Sequence, residues 1–95
     1  MSELREKLRG EILDAEGALL VMHHRRGALF VVAPELLLVD VAVAIAEDDT
    51  ELVGGWIAEG KLTRPDPTDV ERWESGEPAP FRAVIVQPYV LAQRR

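Results

Sequence analysis

The chain has no cysteine among its 95 residues. That excludes disulfides, thiolate metal sites and cysteine nucleophiles, and leaves oxidising and reducing compartments equally tolerable. Aromatic residues are scarce at 5%, and Phe30, Trp56, Trp73, Phe81 and Tyr89 each lie within or beside an apolar pattern. Aliphatic side chains must therefore fill the core, and a base-stacking platform is not expected. Basic residues are outnumbered 17 to 11, giving a net charge of −6. Such a field repels phosphate backbones and anionic lipid, so neither nucleic acid nor membrane is an expected partner. No Gly-Lys-Ser/Thr follows the Gly54-Gly55 pair, so no phosphate loop is written there. Hydroxyls are few, and apart from Thr63 and Tyr89 they fall at predicted helix ends (Ser2, Thr50, Thr68, Ser75), where capping accounts for them.

A long uninterrupted hydrophobic run is also missing. Ala28 to Ala46 comes nearest, but Pro34, Glu35 and Asp40 break it, and an acid at mid-membrane costs about 2.5–3.5 kcal/mol. The segment reads as a soluble core element. At the N-terminus, Ser2 to Leu8 is charged on every turn and lacks the apolar stretch of a secretory signal, which points to the cytoplasm. With 47% hydrophobic and 29% charged residues, the chain has the composition of a folded globular protein and the length of a single domain spanning 1–95.

What is present is a sequence of strong local signals. Leu4, Leu8, Ile12, Ala15 and Leu19 recur at helical spacing behind a Ser2 cap, predicting an amphipathic first helix weakened at Gly10 and broken at Gly17. A second helix through Leu19, Leu20 and His23 ends at Gly27, with Arg25 and Arg26 complementing its dipole. Ala28 to Ala33 is apolar without alternation, as in a strand covered on both faces, and Pro34 ends it. From Leu38 the apolar spacing is that of a core helix.

Asp48-Asp49-Thr50-Glu51 predicts a helix start with Asp48 as cap. That helix runs toward Gly60 with Leu52, Val53, Trp56 and Ile57 as its buried stripe, and Gly54-Gly55 permits a close helix crossing. Lys61 to Arg64 reads as a brief strand, and Thr68-Asp-Val-Glu71 as a capping box opening a helix with Val70 and Trp73 inward. After the Glu77-Pro-Ala-Pro80 linker, Arg82 to Gln93 is one long strand or two short ones. Pro88 demands an edge position or a bulge, with Tyr89 to Ala92 continuing at altered twist. The expected fold is α+β: four or five helices packed on a small, mainly antiparallel sheet in one compact domain.

The run Gly27 to Gly60, with its Val-Val-x-Pro-Glu-Leu centre, Ala-Glu-Asp-Asp turn and Trp56-Ile-x-x-Gly60 ending, resembles bacterial domain-of-unknown-function family 2288. The closing Ala83 to Gln93 segment resembles that family's last strand, and the similarity spans nearly the whole chain. Departures lie in the N-terminal third, where Gly17 stands for the family's usual tryptophan and His23-His24 for a pair usually aromatic or apolar. The resemblance implies a small cytoplasmic bacterial domain, lends no support to histidine ligation and supplies no activity.

Candidate chemistry is sparse. His23 and His24 are adjacent on a helix and point about 100° apart, so a shared metal needs further ligands from elsewhere. Glu47, Asp48 and Asp49 form the densest acidic cluster and could hold a hard cation, although no Asp-x-Asp-x-Asp-Gly loop accompanies them and a capping turn accounts for them. The predicted helix from Thr50 to Glu59 carries acids and no base, which argues against a DNA-recognition helix.

Tyr89, Val90 and Leu91 follow Pro88 on what reads as an exposed edge, a template for pairing with a second chain; completing the monomer core is the competing role. The expected function is a non-catalytic cytoplasmic protein-interaction domain, self-associating as a homodimer or engaging another protein, with no cofactor. The alternative is a small-molecule or metal-ion binding protein or enzyme without a readable catalytic motif, its site between the sheet and the Glu47 to Asp49 turn with Arg82 or Lys61 as anion partner.

Overall fold

The computed structural model describes residues 3–95, so the cap expected at Ser2 lies outside the described residues. Helix α1 (Glu3–Gly10) places Leu8 in the core and stops at Gly10. The predicted continuation is wrong: Leu13–Glu16 is strand β1, laid antiparallel against Phe81 and its neighbours. Leu8, Ile12 and Ala15 fit helical spacing, but Leu13 and Ala15 equally fit a period of two, and pairing with a neighbouring strand decides between the readings.

Helix α2 (Gly17–Arg25) then runs to Gly27, which takes φ 73°. Gly27 N donates to His24 O and Ala28 N to His23 O, at 2.8 and 3.0 Å, closing the last turn around a left-handed residue. Strand β2 (Leu29–Val32), helix α3 (Leu38–Ala46), helix α4 (Thr50–Ala58), strand β3 (Leu62–Thr63) and helix α5 (Pro67–Glu74) follow near their predicted places.

Two caps differ from expectation. Asp49, not Asp48, accepts from Leu52 N, because Asp48 is used to end α3. At φ 57°, Asp48 N donates to Ile45 O and Asp49 N to Ala44 O, so an aspartate fills the left-handed role that Gly27 fills after α2. Likewise Asp66, not Thr68, caps α5, with Pro67 occupying the first helical turn.

Arg82 to Gln93 is neither one continuous strand nor bulged. Strands β4 (Pro80–Val86) and β5 (Tyr89–Arg94) form an antiparallel hairpin in which Val86 opposes Tyr89. Gln87–Pro88, joined by a cis peptide bond, is the reversal, where no ladder donor is required of the proline.

The five strands are ordered β1-β4-β5-β2-β3. Among the described residues only the β2–β5 pairing is parallel. One sheet face carries Val32, Val84, Val86 and Leu91 beneath α1 and α3; the other carries Leu29, Phe81, Val90 and Ala92 beneath α2 and α5.

The second face is the tighter. Trp73 meets Phe81 edge-to-face at 5.2 Å, and a Cβ on buried Gly17 would lie 2.6 Å from Trp73 Cγ and 2.9 Å from Ala79 Cβ. Gly17 N donates to Ala79 O at 2.8 Å, and Ala79 N donates to Glu16 Oε2 at 3.0 Å, fixing that approach. On the first face the buried Gln93 donates through Nε2 to Ala33 O at 2.8 Å and Leu36 O at 2.6 Å, clamping β5 to the loop that enters α3.

Helix α4 departs most from expectation. It packs on α3 as an outer layer, leaving Leu52 45% and Ile57 51% exposed and only Val53 and Trp56 partly buried. Beyond the helix's own backbone, nothing among the described residues lies within 4 Å of where a side chain on Gly54 or Gly55 would start, so no helix crosses there.

Candidate functional site

Strand β5 lies between β4 and β2, which overturns the edge placement of Tyr89, Val90 and Leu91. Val90 is 4% exposed and Leu91 fully buried, and their backbone groups are committed to ladders on both sides. Neither is available for edge pairing with a second chain. Tyr89 alone keeps an exposed ring, set edge-to-face against Phe30 at 5.7 Å. The free edges are β1 and β3. Sequence reading missed this because strand order depends on which distant segments pair, a fact no local pattern carries.

The sheet is flanked by a cleft on each face. On the α3 face, a cavity of ≈ 310 Å³ lies between the α3–α4 corner and the Phe30–Tyr89 pair. Its walls are Ala44, Ile45, Val53, Gly54, Ile57 and Leu62, and Asp48, Asp49 and Thr50 line it with Tyr89. The structure thus brings Tyr89 together with two of the three predicted acids. Glu47 is not among the lining residues, and neither is Arg82 or Lys61. Lys61 instead pairs with Glu59 at 3.5 Å, so the expected anion partners do not reach this cleft. Beside it, the Arg64 guanidinium stacks 4.4 Å from the Phe30 ring centroid and donates to Gly27 O.

On the other face, a groove of ≈ 490 Å³ runs between α2 and the β1–β4 side of the sheet. Leu13, Ala15, Leu19, Leu20, Ala83, Ile85 and Val90 line it, with Glu11 on one wall and His23 on the other. It opens toward the hairpin end into a more polar hollow of ≈ 460 Å³ that shares His23, Ile85 and Val90 and adds Arg26, Gln87 and Tyr89. Four large apolar side chains on this side stay largely in solvent: Leu13 at 69%, Leu19 at 66%, Met22 at 64% and Ile85 at 51% exposed. Leu19 and Met22 sit one turn apart on α2, while Leu13 and Ile85 lie on adjacent strands and point to the same sheet face by register. The sequence pattern hides this strip, because helical spacing puts Ile12, Ala15 and Leu19 on the apolar face of one first helix and leaves Leu13 outside that pattern.

The two histidines diverge, as helical geometry requires. His23 Nδ1 lies 2.6 Å from Arg26 Nη2. A guanidinium only donates, so Nδ1 is the acceptor in this contact and Nε2 is the ring's donor position. His24 turns inward, and its Nδ1 is buried without a hydrogen-bond partner. Among the described residues no group of three or more His, Asp or Glu side chains is placed to hold a metal ion. No helix among them is long and apolar enough to cross a membrane.

The family described as protein of unknown function DUF2288 matches residues 3–94. The chain belongs to this family. The solution NMR structure of PA1075 from Pseudomonas aeruginosa is similar to this DUF2288 chain at 37% sequence identity and a TM-score of 0.80, over 100% of this chain and 87% of that one. A search of curated proteins finds no match. The description of DUF2288 assigns no chemistry, so a functional reading of this member rests on its surfaces.

Proposed function

We propose that this DUF2288 member is a cytoplasmic, non-catalytic protein-interaction domain that self-associates, and that its contact surface is the apolar side of α2, β1 and β4. The observation carrying this reading is the strip of Leu13, Leu19 and Ile85 along one groove, with Met22 one turn from Leu19 on α2, all four more than half exposed. Solvated apolar surface gathered in one place marks an interaction site, whereas single exposed residues do not. Each such side chain contributes about 1.5–3 kcal/mol when fully buried, so covering the strip offers a substantial driving force for association. Strand β1 borders the same surface as a free, four-residue sheet edge.

The test is molar mass by light scattering across a concentration series. The wild type is expected to approach twice its monomer mass, and Leu19→Asp or Ile85→Asp to remain monomeric with unchanged circular dichroism. A wild type that stays monomeric at millimolar concentration contradicts the reading.

The α3-face cleft supports a second reading, small-molecule binding. Its aromatic pair and its apolar volume of ≈ 310 Å³ are at the lower end of ligand-pocket sizes. Saturable amide shifts confined to Phe30, Thr50, Val53 and Tyr89 in a fragment titration would support it. Shifts scattered over both faces, or none, would count against it.

A further inference from the structure

We propose that the occupant of the α2–β1–β4 groove is a second copy of this chain, related by a two-fold axis that sets Glu11 of each copy against Arg26 and His23 of the other. This rests on the self-association reading above and adds its register.

The groove has unlike walls. The α1–β1 turn contributes Glu11 on one side; α2 contributes His23 on the other, with Arg26 next to it in the adjoining hollow. Between them the lining is apolar, led by Leu13, Leu19 and Ile85. Most charges nearby are already matched within the chain. Arg25 pairs with Glu74 at 2.6 Å, and Asp14, which also lines the groove at the β1 edge, pairs with Arg95 at 3.5 Å. Glu11 and Arg26 are absent from the ion pairs among the described residues. Arg26 is nevertheless held, because one of its nitrogens donates to His23 Nδ1 at 2.6 Å. Its other N–H groups and His23 Nε2–H remain as donors for a carboxylate.

A surface that is acidic on one wall, basic on the other and apolar between is complementary to itself when turned by 180°. An isologous interface requires that residue i meet j while j meets i, and the exchange of walls satisfies this twice, once for each Glu11. Displaced registers align Glu11 with Glu11 or Arg26 with Arg26, where like charges repel; charge patterns of this kind fix register and partner more than they add affinity. The chain's net charge of −6 gives two copies a general repulsion, which makes a paired Glu11 and Arg26 the more decisive for which faces can meet.

The test is a charge exchange read by sedimentation equilibrium on the full chain. Both residues are exposed and lie outside the core, so folding, checked by circular dichroism, is expected to persist. Glu11→Arg alone and Arg26→Glu alone are each expected to weaken the dimer at least tenfold, and the double variant Glu11→Arg/Arg26→Glu to return within about threefold of wild type. A wild-type dimer that either single change leaves intact, or that the double change fails to recover, overturns the proposed register while the self-association reading stands. A wild type that never dimerises, or a dimer indifferent to Leu19→Asp, overturns that reading itself.

Discussion

The two faces of the sheet are built on opposite plans. Beneath α2 and α5 the packing is close: Trp73 and Phe81 meet edge-to-face, and a glycine at the head of α2 lets the helix settle against the indole. Yet this same face leaves Leu13, Leu19 and Ile85 uncovered along its β1 side. Beneath α1 and α3 the core is aliphatic, formed by Val32, Val41, Val84 and Leu91, and a further helix, α4, is stacked outside α3. The contrast teaches that tight packing and complete coverage are separate properties. The face with the more exacting fit is the one left unfinished, and the face with an extra layer encloses its cleft within a single chain.

Removing the ring at the centre of the tight face should break that comparison most severely. Phe81→Ala is expected to cost about 3–5 kcal/mol in chemical denaturation, by deleting the partner of Trp73 and opening a cavity. A loss below 1 kcal/mol would mean that the aromatic contact is not the anchor of this face. Next in size is Gly17→Ala. Its new methyl would fall within 2.9 Å of Trp73 and Ala79 atoms, and overpacking of this kind costs about 1–3 kcal/mol. If Gly17→Ala were neutral, α2 would not be seated as closely as the geometry requires.

The smallest effect is expected on the opposite face and with the opposite sign. Gly54 lies in a helix with open space where its side chain would be, so Gly54→Ala should raise stability by up to about 1 kcal/mol. A loss instead would show that the α4 backbone is approached more closely than the structure indicates. Measured together, the two glycine-to-alanine changes separate a glycine placed for contact from one that no contact within the chain explains.

Where local chemistry decides a structure, it could be read directly. The stretch from Leu29 to Ala46 gives strand, stop and core helix as written, because its apolar density leaves no exposed alternative, and α5 ends where Ser75-Gly76 indicates. Where two local signals competed, the choice needed the whole fold. Asp48 and Asp49 are both good caps, and the one that starts α4 is set by how α3 finishes. Leu13 and Ala15 satisfy two periods, and β4 selects one of them.

The candidate site was legible in its parts and not in its arrangement. Asp48, Asp49 and Tyr89 do share a cleft. The Leu13, Leu19 and Ile85 strip joins residues whose kinship appears only once β1 is laid beside β4. Gln93, a polar side chain that composition would send to the surface, is buried because two loop carbonyls need its donors.

The order of the sheet also bears on how the chain is made. Strands β4 and β5 join β1 on one side to β2 and β3 on the other, yet they are synthesised after all three. Until that hairpin emerges from the ribosome, β1 has no neighbour, and β2 has only the short β3 on one flank and nothing on the other. Val32 and the inner side of α3 must wait for Val84 and Leu91 to arrive, and Leu29 for Phe81 and Val90. Native contacts of such long sequence separation slow folding and leave apolar strands open to other chains in the interval. The keystone is laid after every strand it joins.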